Sequence, residues 1–101
     1  MLFARVIGTV VATQKDENLA NRKFLLIQPV DIEFKDKGVP VVAVDAVGAG
    51  EGELVMYASG SSARQTVVTK NTPCDAVIMA IIDTVEKDGE IIFKKFDKER
   101  M

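Results

Sequence analysis

Residues 2–13 read Leu2-Phe3-Ala4-Arg5-Val6-Ile7-Gly8-Thr9-Val10-Val11-Ala12-Thr13. Every second residue from Leu2, namely Ala4, Val6, Gly8, Val10 and Ala12, is apolar, whereas the intervening set Phe3, Arg5, Ile7, Thr9, Val11 and Thr13 is mixed. A period of two with one clean face predicts a long β-strand with core on one side. Gly8 marks a bend in it.

The same grammar continues along the chain. After a polar loop at 14–21, Lys23 to Gln28 forms a second strand whose centre, Phe24-Leu25-Leu26-Ile27, is apolar on both faces, so both faces want cover. Pro29 ends it, and a charged connection from Asp31 to Gly38 leads to a third strand, Val39 to Val47, rich in β-branched residues. A glycine-dense turn, Gly48-Ala49-Gly50-Glu51-Gly52, precedes a fourth strand from Glu53 to Ala58. Ser61 or Ser62 then caps a helix of one or two turns through Ala63, Arg64 and Gln65, because a serine oxygen accepts the N–H groups left free at a helix start.

Asn71-Thr72-Pro73 introduces Asp75 to Val85. Its Val77, Ile78, Ile81, Ile82 and Val85 also fit one helical face, but the Val and Ile content favours a strand. Asp88-Gly89 is a hairpin signal, with Glu90-Ile91-Ile92-Phe93 as the return strand. The tail from Lys94 to Met101 is charged. No repeat or linker interrupts this pattern, so residues 1–101 read as one all-β domain, a small barrel or sandwich with one short helix and a C-terminal hairpin or tail.

Composition narrows the function. In 101 residues, 13 bases against 15 acids leave a net charge of −2, interspersed rather than blocked, which argues against a nucleic-acid partner. There is no histidine, which removes the commonest general base and metal ligand and every Ser-His or Cys-His nucleophile pair. Cys74 is the sole cysteine, so no intrachain disulfide or Cys-x-x-Cys site exists; a buried thiol in a reducing cytoplasm is the expectation. No apolar run reaches the roughly 18–20 residues of a membrane-spanning helix. A soluble protein without a secretion signal is expected.

Three groups of residues remain as candidate sites. Gly48, Gly50 and Gly52 invite a phosphate-loop reading, but a G-x-G-x-G run leading into a strand lacks the helix N-terminus that would hold a pyrophosphate, so a turn with φ > 0 or a close subunit contact is preferred. Gly60-Ser61-Ser62-Ala63-Arg64 offers two hydroxyls, helix N–H groups and a guanidinium, the makings of an anion cradle; the plainer reading is a capped turn with Arg64 fixing a neighbouring loop or subunit. Asp45 and Asp83 sit within apolar strands and would suit acid–base chemistry only if they met, so they are read as structural carboxylates. Phe24, Phe34, Phe93 and Phe96 are read as core or interface rather than base-stacking platforms.

Taken in order, Gly8-x-Val10-x-Ala12-Thr13-x-Lys15, Val42-Ala43-Val44-Asp45-Ala46-Val47-Gly48-Ala49-Gly50-x-Gly52-Glu53, Gly60-Ser61-Ser62-Ala63-Arg64, Pro73-x-Asp75-Ala76 and Ile81-Ile82-Asp83 resemble the pentameric vertex protein family of bacterial microcompartments, the EutN/CcmL family. The resemblance covers nearly all of residues 1–86; Asn21, Cys74 and Ala80 depart from its usual pattern. It implies a five-stranded, OB-like β-barrel with a short helix, assembled as a homopentamer among hexameric shell proteins, with no catalysis, cofactor or metal. A hexagonal sheet cannot close without pentagons, so the ring would occupy the shell vertices in the bacterial cytoplasm. Gly48, Gly50, Gly52, Gly60, Ser61, Ser62 and Arg64 become candidates for the subunit interface or channel mouth. The alternative from another class is an OB-like barrel binding oligonucleotide or oligosaccharide, which the acidic pI near 5.1 and the absence of Trp disfavour.

Overall fold

The computed structural model describes residues 1–13, 17, 22–60, 63 and 75–95. Seven strands follow in chain order: β1 (Leu2–Val10), β2 (Phe24–Pro29), β3 (Val41–Asp45), β4 (Leu54–Ser59), β5 (Ala76–Ile81), β6 (Thr84–Lys87) and β7 (Glu90–Lys94). The first five close into a barrel in the order β1-β2-β3-β5-β4, antiparallel at every pairing except β3 with β5, and β6-β7 forms a separate two-stranded sheet. Closure leaves the barrel no edge strand to protect. The expected five-stranded, OB-like barrel is therefore present, with the hairpin as an addition. Apart from Ala63, the helix expected at residues 61–65 lies outside the described residues, as do Cys74 and Phe96.

Inside the barrel, alternate residues of each strand pack together: Ala4 and Val6 of β1, Leu25 and Ile27 of β2, Ala43 of β3, Val55 and Tyr57 of β4, and Ala76 and Ile78 of β5. Burying a side chain of Leu or Ile size contributes about 1.5–3 kcal/mol, so these residues supply most of the barrel's cohesion. The burial of Tyr57 pushes its phenol above the usual tyrosine value.

The alternation expected of β1 does not run its whole length. Val6 pairs with Ile27 but Gly8 pairs with Leu26, so an extra residue, Ile7, is inserted as a β-bulge. Partners across a ladder share a face. The register Gly8↔Leu26 and Val10↔Phe24 therefore turns Gly8 and Val10 to the outside of the barrel, where the sequence period placed them inside. Leu2 lies at the open barrel end and is exposed.

The strand expected over 75–85 is likewise two strands. β5 ends at Ile81, and Ile82-Asp83 turns the chain into β6, so the hairpin leaves the barrel instead of extending its wall. Asp88 (φ +54°) and Gly89 (φ +80°) both occupy the left-handed region at its tip, as a type I′ turn demands.

Two further apolar clusters lie outside the barrel. Val44, Ala58, Ala63 and Val77 are buried together beside Phe24, Ala46 and Met79. Val30, Leu54 and Ile82 gather Phe3, Phe34, Met56, Val85 and Phe93, and this cluster holds the hairpin to the β1–β4 side. Phe34 is its hub: its ring centroid lies 6.0 Å from that of Phe3 and 5.5 Å from that of Phe93. It takes this place with φ +64°, a conformation costing a non-glycine residue roughly 1–2 kcal/mol, which the tilted aromatic pairs and apolar burial offset. The Asp31 carboxylate stabilises the same turn by accepting the N–H groups of Glu33 (2.8 Å) and Lys35 (3.1 Å).

Candidate functional site

The glycine-dense loop after β3 is held by two carboxylates of its own. Asp45 Oδ1 accepts hydrogen bonds from the N–H groups of Val47 (3.0 Å), Gly48 (3.0 Å) and Ala49 (3.2 Å). Its other oxygen lies 3.6 Å from Lys23 Nζ, which also donates to the carbonyl of Ala49 at 3.4 Å. The Asp45 side chain is only 1% exposed, so its charge depends on this complete set of donors. Gly50 then donates its N–H to Glu53 Oε1 at 2.5 Å, and the chain returns through Gly52 N–H to Val6 O (2.8 Å) and Val6 N–H to Glu53 O (2.9 Å).

The three glycines differ in what they supply. Gly48 (φ +77°) and Gly52 (φ +87°) occupy the left-handed region, and open space surrounds the Cβ that each lacks. Gly50 has no positive φ; a Cβ there would lie 3.3 Å from Glu53 Oε1. The N–H groups from Val47 to Gly50 that a phosphate would need are all donated to Asp45 or Glu53. This loop is a prebuilt rigid turn, not an anion cradle.

Glu53 links the loop to the end of the hairpin. Its Oε2 lies 2.6 Å from Lys95 Nζ, with both side chains largely buried, and the Lys95 N–H donates to the carbonyl of Asp83 at 2.9 Å. The hydrogen bond from Lys95 holds the Glu53 carboxyl below its ordinary value, against burial, which pushes it up; the Gly50 N–H adds to the lowering. Sequence reasoning did not single out this pair, whose members stand 42 residues apart. The local signal was Glu53 itself, an acid at the mouth of an apolar strand three residues after Gly50.

The remaining candidates do not converge on Asp45. Asp83 is exposed in the turn between β5 and β6, whereas Asp45 is buried against Lys23 and its own loop, so the two carboxylates form no acid–base pair. Gly60 (φ +65°) ends β4 and donates its N–H to Asp75 O at 2.8 Å. Ser61, Ser62 and Arg64 lie outside the described residues; Ala63 between them is fully buried against the barrel. Among the described residues no group of three acids or thiols is placed to hold a metal ion, and no helix is long and apolar enough to cross a membrane.

What the surface does offer is apolar area. Val39, Val42 and Val47 around β3, Met1, Leu2 and Ile32 at the barrel end, and Ile91 and Ile92 on the hairpin are all exposed. The barrel end holds an open cleft of about 420 Å³ lined by Met1, Leu2, Phe3, Val30, Ile32 and Met56 among others. Such surface suits association with protein rather than chemistry on a small substrate.

The comparisons with known proteins agree with that chemistry. The family described as "Ethanolamine utilisation protein EutN/carboxysome" matches residues 1–83. The carboxysome shell vertex protein CcmL of Gloeobacter violaceus is 42% identical over 104 residues, covering 99% of this chain and all of that protein, and its solved structure superposes with a TM-score of 0.90 over 96% of this chain. The bacterial microcompartment shell vertex protein EutN of Escherichia coli K12 is 39% identical over 95 residues, covering 94% of this chain and all of that protein. The solved GrpN pentameric microcompartment shell protein from Rhodospirillum rubrum matches 86% of this chain and 99% of its own, at 42% identity and a TM-score of 0.78.

Proposed function

The chain belongs to the EutN/CcmL family, and on that premise we propose that it is a structural shell subunit: five copies form a ring that closes a vertex of a polyhedral bacterial microcompartment, with no catalysis of its own. The observation that carries this reading is the agreement of fold and sequence, over 86% of the chain, with a relative solved as a pentamer. Facets of hexameric shell proteins tile flat and cannot close alone, so the ring's partners are those hexamers, in the bacterial cytoplasm. It takes no nucleic acid and no membrane. Residues 1–101 act as one vertex-protein domain.

The loop geometry supports a structural role for the candidate residues. A ring brings one patch of each subunit against a different patch of the next, and a loop whose N–H groups are already satisfied can meet a neighbour without reorganising. In this reading Gly48, Gly50 and Gly52 lie at a subunit contact or the channel mouth, with Asp45 as the structural carboxylate that shapes them. Gly60, which follows β4, is read as a further candidate for that contact, together with the sequence candidates Ser61, Ser62 and Arg64, and Asp83 is a surface carboxylate. Co-expression with a hexameric shell protein tests the function: closed polyhedra that form only when this chain is present support it, and equal closure without it contradicts it.

A further inference from the structure

Among the described residues, the last backbone hydrogen bond between the barrel and the chain beyond β5 is at Ile82, whose N–H donates to Leu54 O at 2.9 Å. From there β6 and β7 pair only with each other, and the base of the hairpin is closed by its own bond, Lys95 N–H to Asp83 O at 2.9 Å. No residue from Asp83 to Lys95 is buried, and only Val85, Phe93 and Lys95 are half-buried. A two-stranded hairpin is marginal in water on its own. Its place on the barrel therefore rests on three side chains.

Those three hold it unevenly. Phe93 and Val85 join the cluster of Val30, Leu54 and Ile82, yet a cavity of about 70 Å³ remains against Phe93, lined also by Arg5, Val30, Phe34, Gly52 and Leu54. A void deprives its lining of contacts, so this seat is incompletely packed. Phe34, the ring between Phe93 and Phe3, holds φ +64°, and strain of this kind persists only while the surrounding packing enforces it. Lys95 is the firm point, through Glu53 Oε2 at 2.6 Å, and Glu53 Oε1 in turn accepts the N–H of Gly50.

We propose that the hairpin is a flap: β6 and β7 swing away as one unit about Ile82-Asp83 while the five-stranded barrel stays closed, with Lys95 on Glu53 as the latch. Opening breaks no ladder of the barrel. It uncovers Val30, Leu54 and Ile82, and it takes from Glu53 the partner that orients its carboxylate toward Gly50, so the glycine loop loosens with it.

Hydrogen exchange of the full chain, read by mass spectrometry, tests both parts. In the unmodified protein, amides of residues 84–94 are expected to show protection at least ~100-fold below those of β2 and β5, with little dependence on dilute urea, because a sub-global opening exposes little surface. Lys95→Met speeds exchange in 84–94 about tenfold or more, the factor that loss of a charged hydrogen bond implies, and speeds it in residues 47–53 as well, leaving β2 and β5 unchanged. Hairpin and barrel amides that share one protection factor and one urea dependence in the unmodified protein overturn the flap. A Lys95→Met chain whose exchange in 84–94 or in 47–53 matches the unmodified protein, or one that loosens β2 and β5 by the same factor, overturns the latch.

Discussion

Lys95 Nζ lies 2.6 Å from Glu53 Oε2, while the other oxygen of the same carboxylate accepts the N–H of Gly50. One side chain thereby joins the end of β7 to the glycine loop before β4. Because both members of the ion pair are largely buried, their contact is shielded from the screening that weakens surface pairs.

Loss of this link has a pH signature. The Glu53 carboxyl is held below its ordinary value of 4.5 in the folded chain, so its contribution is fully present above that value and is lost as pH falls through the lower, folded one. Glu53→Gln is expected to cost about 1.5–3 kcal/mol at pH 7, the range for a hydrogen bond to a charged group. Urea unfolding of both proteins checks it: the gap between them narrows below pH 4.5, and a gap independent of pH contradicts the assignment.

Asp45 is the more demanding carboxylate. Asp45→Ala leaves three loop N–H groups without their acceptor and removes the ion pair to Lys23, an expected loss of about 1–3 kcal/mol for each N–H left unpaired away from water. Asp45→Asn keeps one acceptor oxygen and costs less. The order of their denaturation midpoints, wild type above Asn above Ala, is the readout.

The glycines separate by mechanism. Gly48→Ala meets no atom but must hold φ +77°, costing about 1–2 kcal/mol. Gly50→Ala needs only a small shift of the flexible Glu53 carboxylate 3.3 Å away and is expected to be milder. Thermal unfolding of the two variants distinguishes them, and a Gly50 variant less stable than the Gly48 variant contradicts the account.

Phe34→Ala removes the ring that stands between Phe3 and Phe93. The half-buried ring carries about 2–3 kcal/mol, at or below the low end for aromatic truncation, and the loss should fall on the hairpin. Amide hydrogen exchange in residues 84–94 is expected to accelerate more than in β2 or β5, whose strands pair within the closed barrel.

Much of this architecture was legible in the residues. The both-sided apolar centre of β2, the glycine turn after β3 and the Asp88-Gly89 tip announced themselves through period and turn chemistry, which are local signals. The bulge at Ile7 was not legible beyond Gly8 as a bend, because the period of two continues unbroken through an insertion that only the ladder with β2 reveals. Nor was the break at Ile82-Asp83, where a Val- and Ile-rich run continues while the chain leaves the barrel. Asp45 could be read as a structural carboxylate, but its three N–H partners depend on how the loop folds back. Glu53 and Lys95 meet only through the fold, so nothing near either residue signalled the other.

The central claim concerns the ring. Native mass spectrometry of the unmodified protein at micromolar concentration tests it most directly, since each chain weighs 11.0 kDa and five give about 55 kDa. A dominant species of that mass, stable on dilution, is the predicted result; a chain that remains monomeric or dimeric across the same range contradicts the account.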